Sequence, residues 1–231
     1  MKTRIRQSGF TLVEIAIVLV IIGLLLGGIL KGQEMITQAR IKNVVNDLNG
    51  LTAAYFSYQD RYKAIPGDDL GAPTRWAAAA TYGTGGVSAG DGNGSVNGAY
   101  NATPSGTTPT TGASGESLIF WWQLRAAGFV PGPTLGQGAW SQPNNAVGGI
   151  LGVQNSAYTG AGALTGNVVC TSNIPDKIAG PVDTQLDDQK SNAGSVRSML
   201  GGGNPNSLGA GTVAGAYTET GDQQYLMCKS I

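Results

Sequence analysis

RQSGFTLVEIAIVLVIIGLLLGGIL, Arg6–Leu30, is the stretch on which the rest of the chain depends. Lys2, Arg4 and Arg6 give the first nine residues a charge of +3, and Phe10 to Leu30 then runs for 21 residues with Glu14 as its single charge. As a helix rising 1.5 Å per residue this run spans roughly 31 Å, about one hydrocarbon thickness. Basic residues ahead of it place Met1 to Gly9 in the cytoplasm and send the rest of the chain out across the membrane. A carboxylate within lipid is costly, less so near an interface. Glu14 therefore needs a reason.

Three assignments compete. A secretory signal peptide has the basic start and the apolar middle, but needs a small-residue cleavage site after the run, and only Gly27-Gly28 answers to that. A plain single-pass anchor fits the length and leaves Glu14 at the headgroup level. More is explained by the ordered set of leader charge, Gly9-Phe10, Thr11, Glu14 and an unbroken apolar run. SGFTLVEIAIVLVIIG, Ser8–Gly23, resembles the N-terminal signature of type IV prepilins and of the pseudopilins of type II secretion.

The resemblance implies a leader, residues 1–9, removed by a prepilin peptidase/methyltransferase between Gly9 and Phe10. Phe10 becomes the N-methylated first residue, and the apolar helix is retained. Glu14 is then the fifth residue of the mature chain and, with Thr11, an assembly residue. In the first turn of its own helix Glu14 is favoured by the macrodipole. In a filament it would neutralise the amino terminus of a neighbouring subunit, and a buried charge penalises every stacking offset that leaves it unpaired. The resemblance is close over the first 30 residues and reaches residue 62 in general plan. It departs at Lys31, which stands where many type IV pilins carry a Pro. Gly23, Gly27, Gly28 and Gly32 are present instead, each weakening a helix by up to about 1 kcal/mol relative to Ala or letting neighbouring helices approach closely.

The helical pattern continues past the apolar run. Ile41, Val44, Val45, Leu48, Leu51, Tyr55, Tyr58 and Tyr62 recur at steps of three and four, an amphipathic stripe that Pro66-Gly67 ends. One helix over 10–62, with 10–30 transmembrane, is expected. Two helices with a break near Gly27 to Gly32 are the alternative. Residues 63–231 then form one globular head that covers the stripe. Thr74 is placed as the N-cap of a short helix in TRWAAAATYG. ESLIFWWQLRAAGFVPG is a later helix whose apolar face holds Leu118, Trp121, Trp122 and Leu124, ended by Gly128 and Pro131-Gly132. Weak alternation over 145–170 and 211–228 suggests short antiparallel strands. The expected fold class is α+β: a long N-terminal helix packed on a small, loop-rich antiparallel sheet.

Composition narrows the chemistry. The 231 residues hold 14 basic and 14 acidic side chains, 37 Gly and no His. That balance gives no nucleic-acid surface. The missing His removes the usual general base and the commonest metal ligand together. GVSAG, Gly86–Gly90, matches a nucleophile elbow in letters only, since nothing is present to activate Ser88. No catalytic cluster stands out, and no enzyme is expected.

Cys170 and Cys228 lack any redox or zinc spacing; in an exported head they would form one disulfide, and in a cytosolic protein two buried thiols. The resemblance implies the former, a C-terminal disulfide-bounded region.

GDGNGSVNG, Gly90–Gly98, offers oxygens from Asp91, Asn93, Ser95 and Asn97 at every second residue, as calcium loops do, although Ala102 stands where an EF-hand has its Glu. Many major pseudopilins hold calcium in a head loop. An Asn/Gly-rich turn without an ion explains the same letters slightly better. Asp68 and Asp69 either add carboxylates to such a site or cap the chain after Pro66-Gly67. The hydroxyl-rich 103–114 segment suits an exposed loop, and Asp187-Asp188 a charged turn.

The expected function is structural. The precursor sits in the inner membrane, is matured, and is polymerised by inner-membrane assembly machinery into a helical homo-oligomeric filament, an extracellular type IV pilus. A periplasmic pseudopilus is the alternative within the family. An uncleaved membrane-anchored binding domain is the alternative outside it.

Overall fold

The computed structural model describes residues 9, 11–76, 89–104, 115–158, 163–201, 205 and 215–231. Helix α1 is Leu12–Tyr62, assigned without interruption through Gly23, Gly27, Gly28 and Gly32. Contacts divide the chain into two compact units, Met1–Ala39 and Arg40–Ile231.

In the first unit every side chain from Leu12 to Leu30 is exposed. This stretch is long and apolar enough to cross a membrane.

In the second unit α1 supplies the stripe expected from its spacing. Ile41, Val44, Leu48, Leu51, Tyr55 and Tyr58 are buried, and Val45 and Tyr62 pack beside them half-buried. The helix stops before Pro66: Lys63 takes φ 52°, a left-handed residue just past the last turn, and its amide bonds to the Gln59 carbonyl.

Helix α2 is only Ala72–Arg75 and begins ahead of Thr74, with Gly71 at its N-cap and Pro73 in its first turn. Proline's fixed φ suits that position, so Thr74 lies inside the helix rather than capping it. Residues 77–88 lie outside the described residues, as do Ser88 and most of the hydroxyl-rich 103–114 segment.

Helix α3 is Glu116–Ala126, ended before Gly128 at φ 78°. It is buried on all sides from Glu116 to Arg125, where one apolar face was expected. Its polar side chains make this possible by tying surrounding loops. Gln123 accepts from the Gly67 amide at 2.6 Å, and Trp122 Nε1 donates to the Thr134 carbonyl. Arg125 donates to the carbonyls of Gly138, Ala139 and Ser141. Buried polar groups are tolerated when so partnered.

Among the described residues four antiparallel strands form one sheet: β1 Leu151–Ala157, β2 Leu164–Pro175, β3 Val196–Leu200 and β4 Gln224–Ser230, in the order β1-β2-β4-β3. The last strand of the chain therefore lies between β2 and β3. Alternate residues feed two cores. Val169, Tyr225 and Met227 join the stripe of α1, while Val168, Cys170, Leu226 and Cys228 face the other side with Tyr100 and Tyr158. Burial on both faces explains why the alternation was weak in the sequence. Helix α4, Asp176–Leu186, connects β2 to β3 and buries Ile178, Ala179 and Val182. The architecture is α+β, as expected, with α4 and β3 added.

Candidate functional site: the N-terminal turn and the acidic loop

Asp68 lies just beyond the end of α1 and is buried. Its Oδ1 accepts the amides of Gly92 and Asn93, and its Oδ2 that of Gly94 at 2.7 Å. Successive amides wrapped around one carboxylate form an anion nest. Gly90 brings the loop in: a Cβ there would overlap the Asp68 backbone.

Glu116, the first residue of α3, closes the loop from below by accepting the Asp91 amide at 2.9 Å and the Asn97 amide at 2.8 Å. Asp68, Asp91 and Glu116 thus meet, each offering an oxygen within 4.8 Å of the others. Burial pushes the Asp68 carboxyl up, against the Gly94 and Gly92 amides. Burial raises Glu116 as well, helped by the charges of Asp91 and Asp68.

The four residues singled out by spacing are arranged differently. Asp91 turns its carboxylate onto the Asn93 amide and side chain, and Asn93 Oδ1 accepts the Ser95 amide. Asn97 takes part through its backbone. Asp91 is the member of the set brought to the carboxylate group. Of its partners, Asp68 is one of the two carboxylates expected to add to such a site, and Glu116 comes from a distant position that local spacing does not connect. Asp69 does cap the turn after Pro66-Gly67: its Oδ1 accepts the Gly71 amide, its Oδ2 accepts the Tyr58 hydroxyl at 2.6 Å, and it pairs with Arg75.

At the other end of α1, Gly9 is exposed and Phe10 lies outside the described residues. Thr11 and Glu14 form a capping box. The Glu14 amide donates to Thr11 Oγ1 at 3.3 Å, while the Thr11 amide and hydroxyl each donate to Glu14 Oε2 at 2.8 Å. The sequence T-x-x-E ahead of an apolar run is the signal for this motif. It satisfies two amides at the helix start reciprocally, that of Thr11 with the Glu14 carboxylate and that of Glu14 with the Thr11 hydroxyl oxygen. None of these bonds uses Oε1. At the far end of the apolar run Lys31 pairs with Glu34 at 2.7 Å, both exposed.

Residues 4–30 match the family model for the prokaryotic N-terminal methylation motif. The chain carries the type IV pilin and pseudopilin signature. Comparison with curated proteins and with solved structures finds no match. The match runs from Arg4 through the capping box to the end of the exposed apolar run at Leu30.

In the second unit, beyond the matched motif, Cys170 and Cys228 are joined in a disulfide. They are direct partners across β2 and β4, and both are buried. The bond fixes the C-terminal strand in the middle of the sheet and encloses α4 and β3 between its two ends.

Proposed function

We propose that this chain is a structural subunit that polymerises into a type IV pilus-like surface filament after its leader is removed between Gly9 and Phe10. The observation that carries this is the N-terminal signature itself, with Glu14 held by Thr11 at the start of a wholly exposed apolar helix. A prepilin peptidase/methyltransferase would cut on the cytoplasmic side and methylate Phe10. Inner-membrane assembly machinery would then draw the apolar helices out of the bilayer and bundle them. Glu14 Oε1, unused within the capping box, would accept from the ammonium of a neighbouring Phe10. In that apolar setting a charged pair is favourable only when well aligned, so it sets the register. The disulfide-bounded sheet would face outward and resist the extracellular environment.

A pseudopilin of type II secretion would use the same signature and the same first steps. Intact mass separates the two. Fibres sheared from cells should contain a chain short by Met1 to Gly9, heavier by one methyl and lighter by the two hydrogens of the disulfide. Processed chain confined to the membrane fraction would favour the pseudopilin. A chain that keeps its leader would leave a membrane-anchored domain. Replacing Gly9 by a bulky residue should block maturation in both family readings and be harmless in the third.

A further inference from the structure

Asn-Gly occurs three times in the chain, at Asn49-Gly50, Asn93-Gly94 and Asn97-Gly98. In such a pair the glycine amide nitrogen can attack the preceding side-chain carbonyl carbon, because glycine has no Cβ to hinder the approach. The fold treats the three differently. Gly50 lies within α1, where its amide belongs to the i→i−4 ladder and the helical backbone keeps it from the Asn49 side chain. Gly94 gives its amide to Asp68 Oδ2 at 2.7 Å. Both ends of the Asn93 side chain are also held: Nδ2 donates to Asp91 Oδ2, and Oδ1 accepts the Ser95 amide.

At Asn97 the bonds fall elsewhere. Its own amide donates to Glu116 Oε2 at 2.8 Å, and its carbonyl accepts the Ser117 amide at 3.0 Å. Among the described residues no hydrogen bond engages the Asn97 side chain or the Gly98 amide. Both residues are only half-buried, so water reaches them. Gly98 takes φ 107°, in the region open to glycine. The two groups that must meet are therefore the two left untied, while the backbone just ahead of them is fixed.

We propose that Asn97 is a site of spontaneous deamidation in the folded head, with water as the co-reactant. The Gly98 amide loses its proton to solvent base, and its nitrogen attacks Asn97 Cγ. A bond forms between the two, the Cγ–Nδ2 bond breaks, and Nδ2 takes up a proton and leaves as ammonia. Water then opens the five-membered succinimide at either carbonyl, giving aspartate or isoaspartate. Either product carries a new carboxylate beside Glu116, which already meets Asp91 and Asp68. The acidic loop thus gains one negative charge as the protein ages. The site is independent of whether the chain forms a pilus or a pseudopilus.

The test ages the purified full-length chain in detergent micelles at mildly alkaline pH, with and without urea. Peptide mapping by mass spectrometry reads the replacement of NH2 by OH at each of the three pairs, and isoelectric focusing follows the more acidic isoform. In the folded chain Asn97 should convert at least about tenfold faster than Asn93 or Asn49, the effect on a rate of roughly one hydrogen bond that must first be broken. In urea the three rates should converge. Asn97→Gln replaces a side chain without partners by one that closes a six-membered ring far more slowly. It should lose the fast site and leave the other two unchanged. No conversion at Asn97 in the folded chain, conversion of Asn93 or Asn49 at the rate of Asn97, or an acidic isoform that Asn97→Gln still forms at the parental rate would each overturn the proposal.

Discussion

Thr11 donates twice to Glu14, from its amide and from its hydroxyl, both to Oε2 at 2.8 Å. The carboxylate is thus held at the helix start by its own chain. Truncation to Ala should remove this local role together with the intersubunit one proposed above. Glu14→Ala is expected to be cleaved normally and to assemble poorly. Thr11→Val keeps the amide donor and loses the hydroxyl, so its defect should be milder. Leader processing on gels and the yield of sheared fibres measure the two steps separately. Wild-type fibre yields from Glu14→Ala would remove Glu14 from the assembly mechanism.

The Cys170–Cys228 bond spans a sequence separation of 58 and joins adjacent strands at a direct pair. Closing a loop of that size stabilises by about 4 kcal/mol in the chain-entropy model. The double substitution Cys170→Ser, Cys228→Ser should therefore lower the urea midpoint of the head substantially. Because both sulfurs are buried, reductant alone should act slowly on the folded chain and quickly once urea is added. An unchanged midpoint after complete reduction would show that the sheet does not depend on the bond.

The parts legible in the sequence were those whose signal is local and repeated. The stripe from Ile41 to Tyr62 repeats every three or four residues and faces one core, so spacing alone revealed it. Strands β2 and β4 pack cores on both faces, as Val169 beside Cys170 shows, and their alternation was correspondingly blurred. Helix α4 was missed because Gly180 and Pro181 stand in its middle and argue against a helix. Strand β3 is five residues long and gains its identity by pairing with β4, far along the chain. The acidic loop was recognisable in Asp91 and Asn93, with Asp68 beyond α1 as a possible further carboxylate, but Glu116 is supplied by the start of α3, which no local spacing links to the loop. Asp187-Asp188 read as a plain charged turn, since the donor that the neighbouring Asp183 finds, the Tyr217 hydroxyl, lies far along the chain.

Tyr58 and Asp69 join α1 to the turn beyond it by a buried hydrogen bond of 2.6 Å. Tyr58→Phe removes the donor and leaves Asp69 with Arg75 and the Gly71 amide, so a loss of about 1–2 kcal/mol is expected. Asp69→Ala leaves the Tyr58 hydroxyl with only its long 3.4 Å bond to Gln123 Oε1 and strands Arg75, and should cost about 3 kcal/mol or more. Urea unfolding of the single and double variants completes a cycle. Strictly additive losses would show that the two side chains are not coupled.

Carboxylates of the head also set its response to pH, in opposite directions. Burial raises Asp68 and Glu116 above their ordinary values, so the folded head binds protons there more readily than the unfolded chain. Stability from these two groups therefore falls as pH rises through the window just above the ordinary carboxylate range, which lies near pH 4. Asp176 behaves the other way. Burial works upward on it, but the amides of Gly221, Lys177 and Gln223 and the Thr220 hydroxyl outweigh burial and hold it below the usual range. Its contribution is present above its unfolded pKa and is lost as pH falls through its folded one. A Tm profile should therefore rise on mild acidification from neutral pH, pass a maximum, and fall at strongly acid pH. Glu116→Gln should flatten the first slope, and Asp176→Asn should reduce the acid-side fall. Both should start from a lower Tm, since each carboxylate also anchors backbone amides. A profile that declines steadily from neutral pH downward, unchanged by Glu116→Gln, would show that the buried pair does not govern the head's acid response.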